Sequence, residues 1–193
     1  MKRNINTNSQ VIKCCQHLHQ KSLISAFGGN VSVRSENKII ITPTGLPLRE
    51  VAEDDLVVVN MAGEVLFGMG EPSSELALHL AIYRNWPHIK GIIHTHSPAA
   101  TAFAYLGREI QAVNPESMEY LKDIPIVPYR PIGSDSLADA LEEVVRGGRY
   151  NAILLERHGL ITVGSNLDVA YNLTELVEET AKINLYIKIL QNS

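Results

Sequence analysis

The alternation of apolar and polar positions divides the chain into helices and hairpins. Residues 9–21 put Val11, Ile12, Cys15, Leu18 and His19 at helical spacing, which predicts an amphipathic helix. The turn-rich run Ala26-Phe27-Gly28-Gly29-Asn30 ends it. Residues 31–34 and 38–42 read as a hairpin, and 56–60 and 65–67 as a second, turned at Ala62-Gly63. A helix is predicted over 74–85, with Ser73 or Ser74 as N-cap and Glu75 in its first turn. Residues 91–96 form a short apolar strand and 98–105 a helix stopped by Gly107. Four prolines make 109–131 mostly irregular, with a short strand near Ile126. A helix over 134–146 stops at Gly147-Gly148. Strands at 152–155 and 159–163 are broken by Arg157-His158, and a long amphipathic helix over 167–190 closes the chain.

Hairpins mixed with helices predict an α/β fold, a largely antiparallel or mixed sheet covered by helices. This is not the strand–helix alternation of a doubly wound nucleotide fold, and no spaced glycine fingerprint follows a strand. No repeat or linker splits the chain, so residues 1–193 are expected to form one domain.

Composition narrows the classes. Apolar residues at 45% and charged residues at 20% exclude a disordered chain. A net charge of −4 argues against nucleic acid or an anionic membrane surface as partner. No apolar run reaches bilayer length, and residues 1–10 are too polar for a signal peptide. Cys14 and Cys15 are adjacent and point apart on a helix, so a disulfide between them is not expected. A reducing, cytoplasmic setting is the resulting expectation.

Of seven histidines, His94 and His96 are the informative pair. Two apart on a strand, they project on one side and can chelate one ion. A zinc site with chemistry to do takes three protein ligands and keeps one position open. His158 is the best third candidate, since Gly159 beside it allows close backbone approach; by spacing alone His79 and His88 remain. A lone histidine at a strand end is usually an ordinary polar residue, and it is the pair that favours metal. His17 and His19 read as packing or surface residues.

Pro72-Ser73-Ser74-Glu75 precedes a helix, where free N–H groups and two hydroxyls attract phosphate. Gly28-Gly29-Asn30 and Thr42-Pro43-Thr44-Gly45 are further donor-rich turns. Each alone is a plain turn or cap. Beside a metal, the three make a phosphate cradle.

In this order the motifs Gly29-Asn30-Val31-Ser32, Thr42-Pro43-Thr44-Gly45, Pro72-Ser73-Ser74-Glu75, His94-Thr95-His96-Ser97 and His158-Gly159-Leu160 resemble the class II aldolase/adducin family over nearly the whole chain. The resemblance implies a three-layer α/β/α fold with a central, mostly antiparallel sheet. It implies one zinc ion on His94, His96 and His158, which selects His158 over His79. Glu75 would transfer protons, and Gly29, Asn30, Thr44, Gly45, Ser73 and Ser74 would hold a substrate phosphate. The implied reaction is retro-aldol cleavage of a small phosphorylated sugar, a ketose 1-phosphate such as L-fuculose 1-phosphate, to dihydroxyacetone phosphate and an aldehyde. The implied assembly is a homotetramer with active sites between subunits.

One departure concerns a tyrosine that the family's aldolases contribute to the neighbouring subunit after Ala112-Val113; here Asn114-Pro115-Glu116 follows. Either Glu116, Tyr120 or Tyr129 substitutes as the acid, or the aldehyde half of the substrate is different. The rivals are a methylthioribulose-phosphate dehydratase or pentose-phosphate epimerase on the same scaffold, and a non-catalytic adducin-like interaction module. The epimerase branch would carry aspartate in place of Glu75, and the interaction module needs no complete histidine triad.

Overall fold

The computed structural model describes residues 7–121 and 123–192; residues 1–6 of the polar N-terminal stretch lie outside them. Helix α1 (Thr7–Gln20) buries Val11, Cys14, Cys15 and Leu18. His19, expected on its apolar stripe, is exposed, whereas His17 packs on Tyr171 with ring centroids 5.8 Å apart. The first hairpin is β1 (Asn30–Ser35) and β2 (Lys38–Ile41), and the second is β3 (Val57–Asn60) and β4 (Val65–Phe67). Then come α2 (Leu76–Asn85), β5 (Gly91–Thr95), α3 (Pro98–Tyr105), α4 (Pro115–Tyr120), β6 (Ile126–Val127), α5 (Asp135–Gly147), β7 (Ala152–Leu155), β8 (Gly159–Gly164) and α6 (Leu167–Gln191).

The strands form one sheet in the order β4-β3-β2-β1-β5-β8-β7-β6. Neighbours run antiparallel except β6 and β7, which are parallel. Side-chain alternation sorts the core into two layers. Ile92, Ile153, Leu155, Ile161 and Val163 face α2 and α5. Ile93 faces α1 and the start of α6, and Ala152, Leu154 and Leu160 pack with α3 and the middle of α6. The expected three-layer α/β/α arrangement follows.

Two local expectations are corrected. Helix α2 starts at Leu76 with Glu75, not a serine, as N-cap. A turn precedes it, in which Ser73 O accepts the Leu76 N–H at 2.9 Å and Ser73 Oγ the Glu75 N–H at 3.3 Å. That turn leaves the Glu75 side chain outside the helix, directed at the sheet. The segment 109–131 is also less irregular than its prolines suggest. Pro115 opens α4 at a position where its missing N–H costs nothing, and Asn114 Oδ1 accepts the Ser117 N–H at 2.8 Å.

Candidate active site

His94 lies in the middle sheet strand β5, opposite Asn30 on one side and Ile161 on the other. The strand ends at Thr95, so His96 sits just past it but still on the α2 side. His158 comes from the tight turn joining β7 to β8, where Leu155 and Gly159 are paired and His158 N–H donates to Leu155 O at 3.0 Å. Arg157 in that turn takes φ +56°, the left-handed region, and its N–H is held by Ala104 O at 3.1 Å.

Gly159 explains how three rings can converge. A Cβ there would lie 2.5 Å from Thr95 O, 2.8 Å from a His96 ring carbon and 3.2 Å from His94 Cε1. Ring centroids are 4.8 Å apart for His94 and His96, 4.7 Å for His94 and His158, and 5.1 Å for His96 and His158. One nitrogen from each ring lies within 4.8 Å of those of the other two.

Burial lowers the basicity of all three rings. It takes His94 down to about 3, reinforced by the His96 imidazole and opposed by a hydrogen bond to the backbone at Leu160. His158 falls to about 4, by burial first and then by His94 and His96, against the pull of Glu75. His96 is lowered by burial, again against Glu75. Neutral imidazoles are the form that ligates metal. His94 Nδ1 donates to Leu160 O at 3.0 Å, which fixes the tautomer and leaves Nε2 with a lone pair. That Nε2 sits 3.0 Å from His96 Nε2 and 3.2 Å from Glu75 Oε2. Glu75 Oε1 is 3.2 Å from His158 Nε2, and neither these two atoms nor His158 Nδ1 has a hydrogen-bond partner although all are buried. Lone pairs and a carboxylate gathered out of water repel one another unless a cation sits among them. The donor set therefore fits one divalent metal with three imidazole ligands.

The segments expected to cradle phosphate come together beside it. Ser73 N–H donates to Thr42 O and Thr44 N–H to Glu71 O, each at 3.1 Å, and Pro43 bridges Pro72. Thr44, Gly45 and Ser74 are exposed, and Ser73 is buried. Asn30 Nδ2 donates to Glu75 Oε2 at 2.9 Å. Gly29, at φ +92°, lets the backbone pass where a Cβ would lie 2.8 Å from His94 O.

The other histidines and the substitute acids separate by position. His79 is buried, with Nε2 2.6 Å from Asn30 Oδ1 and Nδ1 2.6 Å from Ser32 Oγ, so both nitrogens are taken and it is not free as the third ligand. His88 is exposed in the turn between α2 and β5, at the far end of β5 from the imidazole cluster. Glu116 and Tyr120 border a cavity with Val163 and Gly164, at the end of β8 away from Gly159, so within one chain they do not reach the imidazoles. Tyr129 lies at the nearer end: its N–H donates to Glu156 Oε2 at 3.0 Å, and Arg157 stacks 5.6 Å from its ring centroid. Sequence reasoning missed the support shell of Ser32, Tyr83 and Glu178. The buried Glu178 carboxylate accepts the N–H groups of Ala99 and Ala100 at 3.0–3.1 Å, anchoring the helix start that follows His96. A spacing of four from Glu75 to His79 to Tyr83 was the available signal for one helix face carrying polar groups.

Comparison with known proteins identifies the family. The family model for the class II aldolase and adducin N-terminal domain matches residues 9–185. An L-fuculose phosphate aldolase of Methanococcus vannielii is 41% identical over 175 residues, covering 91% of this chain and 93% of the relative. A 3-oxo-tetronate 4-phosphate decarboxylase of Haemophilus influenzae is 36% identical over 179 residues, 90% of this chain and 84% of that one. The solved structure of an L-fuculose 1-phosphate aldolase superposes with TM-score 0.90 at 32% identity, covering 97% of this chain and 88% of that chain. The chain thus belongs to the class II aldolase and adducin N-terminal domain family, among whose members it is an enzyme, a lyase.

Proposed function

We propose that the chain is a zinc-dependent aldolase that cleaves a ketose 1-phosphate, with L-fuculose 1-phosphate the first substrate to try, into dihydroxyacetone phosphate and an aldehyde. The observation that carries this reading is the gathering of three neutral imidazoles around a buried carboxylate, Glu75, 3.2 Å from two of them. His94, His96 and His158 are the proposed ligands. When held there, a divalent ion would supply Lewis acidity toward the substrate carbonyl and the charge left when the C3–C4 bond breaks.

The protein's own groups do the rest. Gly29, Asn30, Thr44, Gly45, Ser73 and Ser74 hold the phosphate, through backbone donors near the start of α2 and through hydroxyls. On cleavage the C4 hydroxyl loses its proton and C3 gains one, and Glu75 delivers the proton to C3. Glu116, Tyr120 and Tyr129 are the candidates for the group that handles the aldehyde oxygen. For Glu116 and Tyr120 this requires a neighbouring subunit, which supports a homotetramer with sites between chains. Light scattering should then give about four times the 21.3 kDa chain mass; the mass of one chain would contradict it. No described helix is long and apolar enough to cross a membrane, and both cysteines are free. Both facts support the proposed cytoplasmic setting.

A second reading has an observation behind it: a decarboxylase is among the relatives. The test assays L-fuculose 1-phosphate, other ketose 1-phosphates and 3-oxo-tetronate 4-phosphate, following dihydroxyacetone phosphate and carbon dioxide. Dihydroxyacetone phosphate formation, lowered about 10²–10⁴-fold in Glu75→Gln with metal retained, is the expected result. Carbon dioxide release without it, or full turnover in Glu75→Gln, would overturn the proposal.

A further inference from the structure

A line of buried polar side chains runs from Glu75 away from the imidazole cluster, between α2 and the sheet. Glu75 Oε2 accepts from Asn30 Nδ2 at 2.9 Å, and Asn30 Oδ1 meets His79 Nε2 at 2.6 Å. His79 Nδ1 meets Ser32 Oγ at 2.6 Å, and Ser32 Oγ meets the Tyr83 hydroxyl at 2.8 Å. All five residues are buried, Ser32 and Tyr83 completely. The line exists because His79 and Tyr83 are spaced by four on one face of α2 with Glu75 at its N-cap, while Asn30 and Ser32 share one face of β1.

The direction of every hydrogen bond follows from the carboxylate. A carboxylate only accepts, so the Asn30 NH₂ faces Glu75 and its Oδ1 faces His79. His79 must then carry its hydrogen on Nε2 and accept at Nδ1 from the Ser32 hydroxyl. The remaining lone pair of Ser32 accepts from Tyr83, whose phenol burial pushes up and so keeps as a donor. The line is not a proton wire, because the Asn30 amide does not pass a proton on. What it does is forbid the flipped amide, which would point its carbonyl at the carboxylate.

We propose that His79, braced through Nδ1 by Ser32 and Tyr83, is a positioning residue that holds the Asn30 amide and through it the Glu75 carboxylate for proton transfer. The inference rests on the reaction proposed above, deepening it at the same site.

The test combines kinetics with nitrogen NMR of the imidazoles. Wild-type His79 should be the Nε2-protonated tautomer. His79→Leu should lower kcat about 10–100-fold, with metal content unchanged and a smaller change in KM for the sugar phosphate, since Asn30 also faces the phosphate. His79→Gln, whose amide nitrogen can still donate to Asn30, should recover most of the loss. Ser32→Ala is the milder variant should His79→Leu not fold; it leaves His79 Nδ1 without its donor, and should lower kcat several-fold while His79 stays Nε2-protonated. An Nδ1-protonated wild-type His79, equal losses in the Leu and Gln variants, or an effect on KM alone would each overturn the inference. If the wild type cleaves no ketose 1-phosphate, the reaction proposal fails, and the tautomer in wild type and Ser32→Ala still decides the geometry.

Discussion

At the residue scale, the site is governed by what burial does to imidazole. An exposed histidine takes up a proton near pH 6.5. Burial first of all holds His94 and His79 down to about 3, and His158 to about 4. The unfolded chain therefore binds protons at these positions as pH falls below about 7, while the folded chain does not until about 3–4. By linkage, the metal-free protein loses stability as pH falls through that window, because the unfolded chain takes up protons that the fold excludes. Above about pH 7.5 these groups contribute no pH dependence. Thermal melts of chelator-treated protein at pH 7.5 and pH 5 should show a clear drop at the lower pH. An unchanged Tm would mean that the rings are already protonated in the fold.

At the element scale, the central strand β5 and the β7–β8 turn set the geometry, and a single glycine lets them close. Gly159→Ala should drive a methyl against Thr95 O, at 2.5 Å, and against the ring of His96. A backbone oxygen cannot swing aside as a flexible side chain can, so the strand pair must shift. The expected cost is about 1–3 kcal/mol of stability, with metal affinity weakened about tenfold or more; denaturant melts and metal titration check this, and a wild-type profile would contradict it. This scale also shows how much the chain announces in advance. The pair His94 and His96, the apolar strand beneath them and the hairpins were legible because alternation with period two is a local pattern. The N-cap of α2 was not, since a serine-rich start reads as a cap whether or not a preceding turn carries the helix one residue onward to Glu75. Helix α4 was hidden by its proline, which breaks a helix inside but opens one at its first position. His79 was visible as a helix-face neighbour of Glu75, yet its partners Asn30 and Ser32 lie more than forty residues away, on a strand whose register no local pattern fixes.

At the scale of the whole molecule, the fold is a means of bringing distant segments to one end of a sheet. Residues near 30, 44, 74, 94 and 158 meet because β1 and β5 are neighbours, β8 lies against β5, and α2 crosses that face. The order of those motifs along the chain made the family legible, whereas the positions of Glu116 and Tyr120 did not follow from it. Those two lie at the opposite end of the sheet, beside Val163 and Gly164. His94, His96 and His158 are proposed to bind one divalent ion together, and zinc titration of chelator-treated protein by calorimetry decides whether they do. One site per chain is expected in the wild type, and its loss in His94→Ala and in His158→Ala, both still folded. Zinc binding undiminished in His158→Ala, or no binding by the wild type, would contradict it.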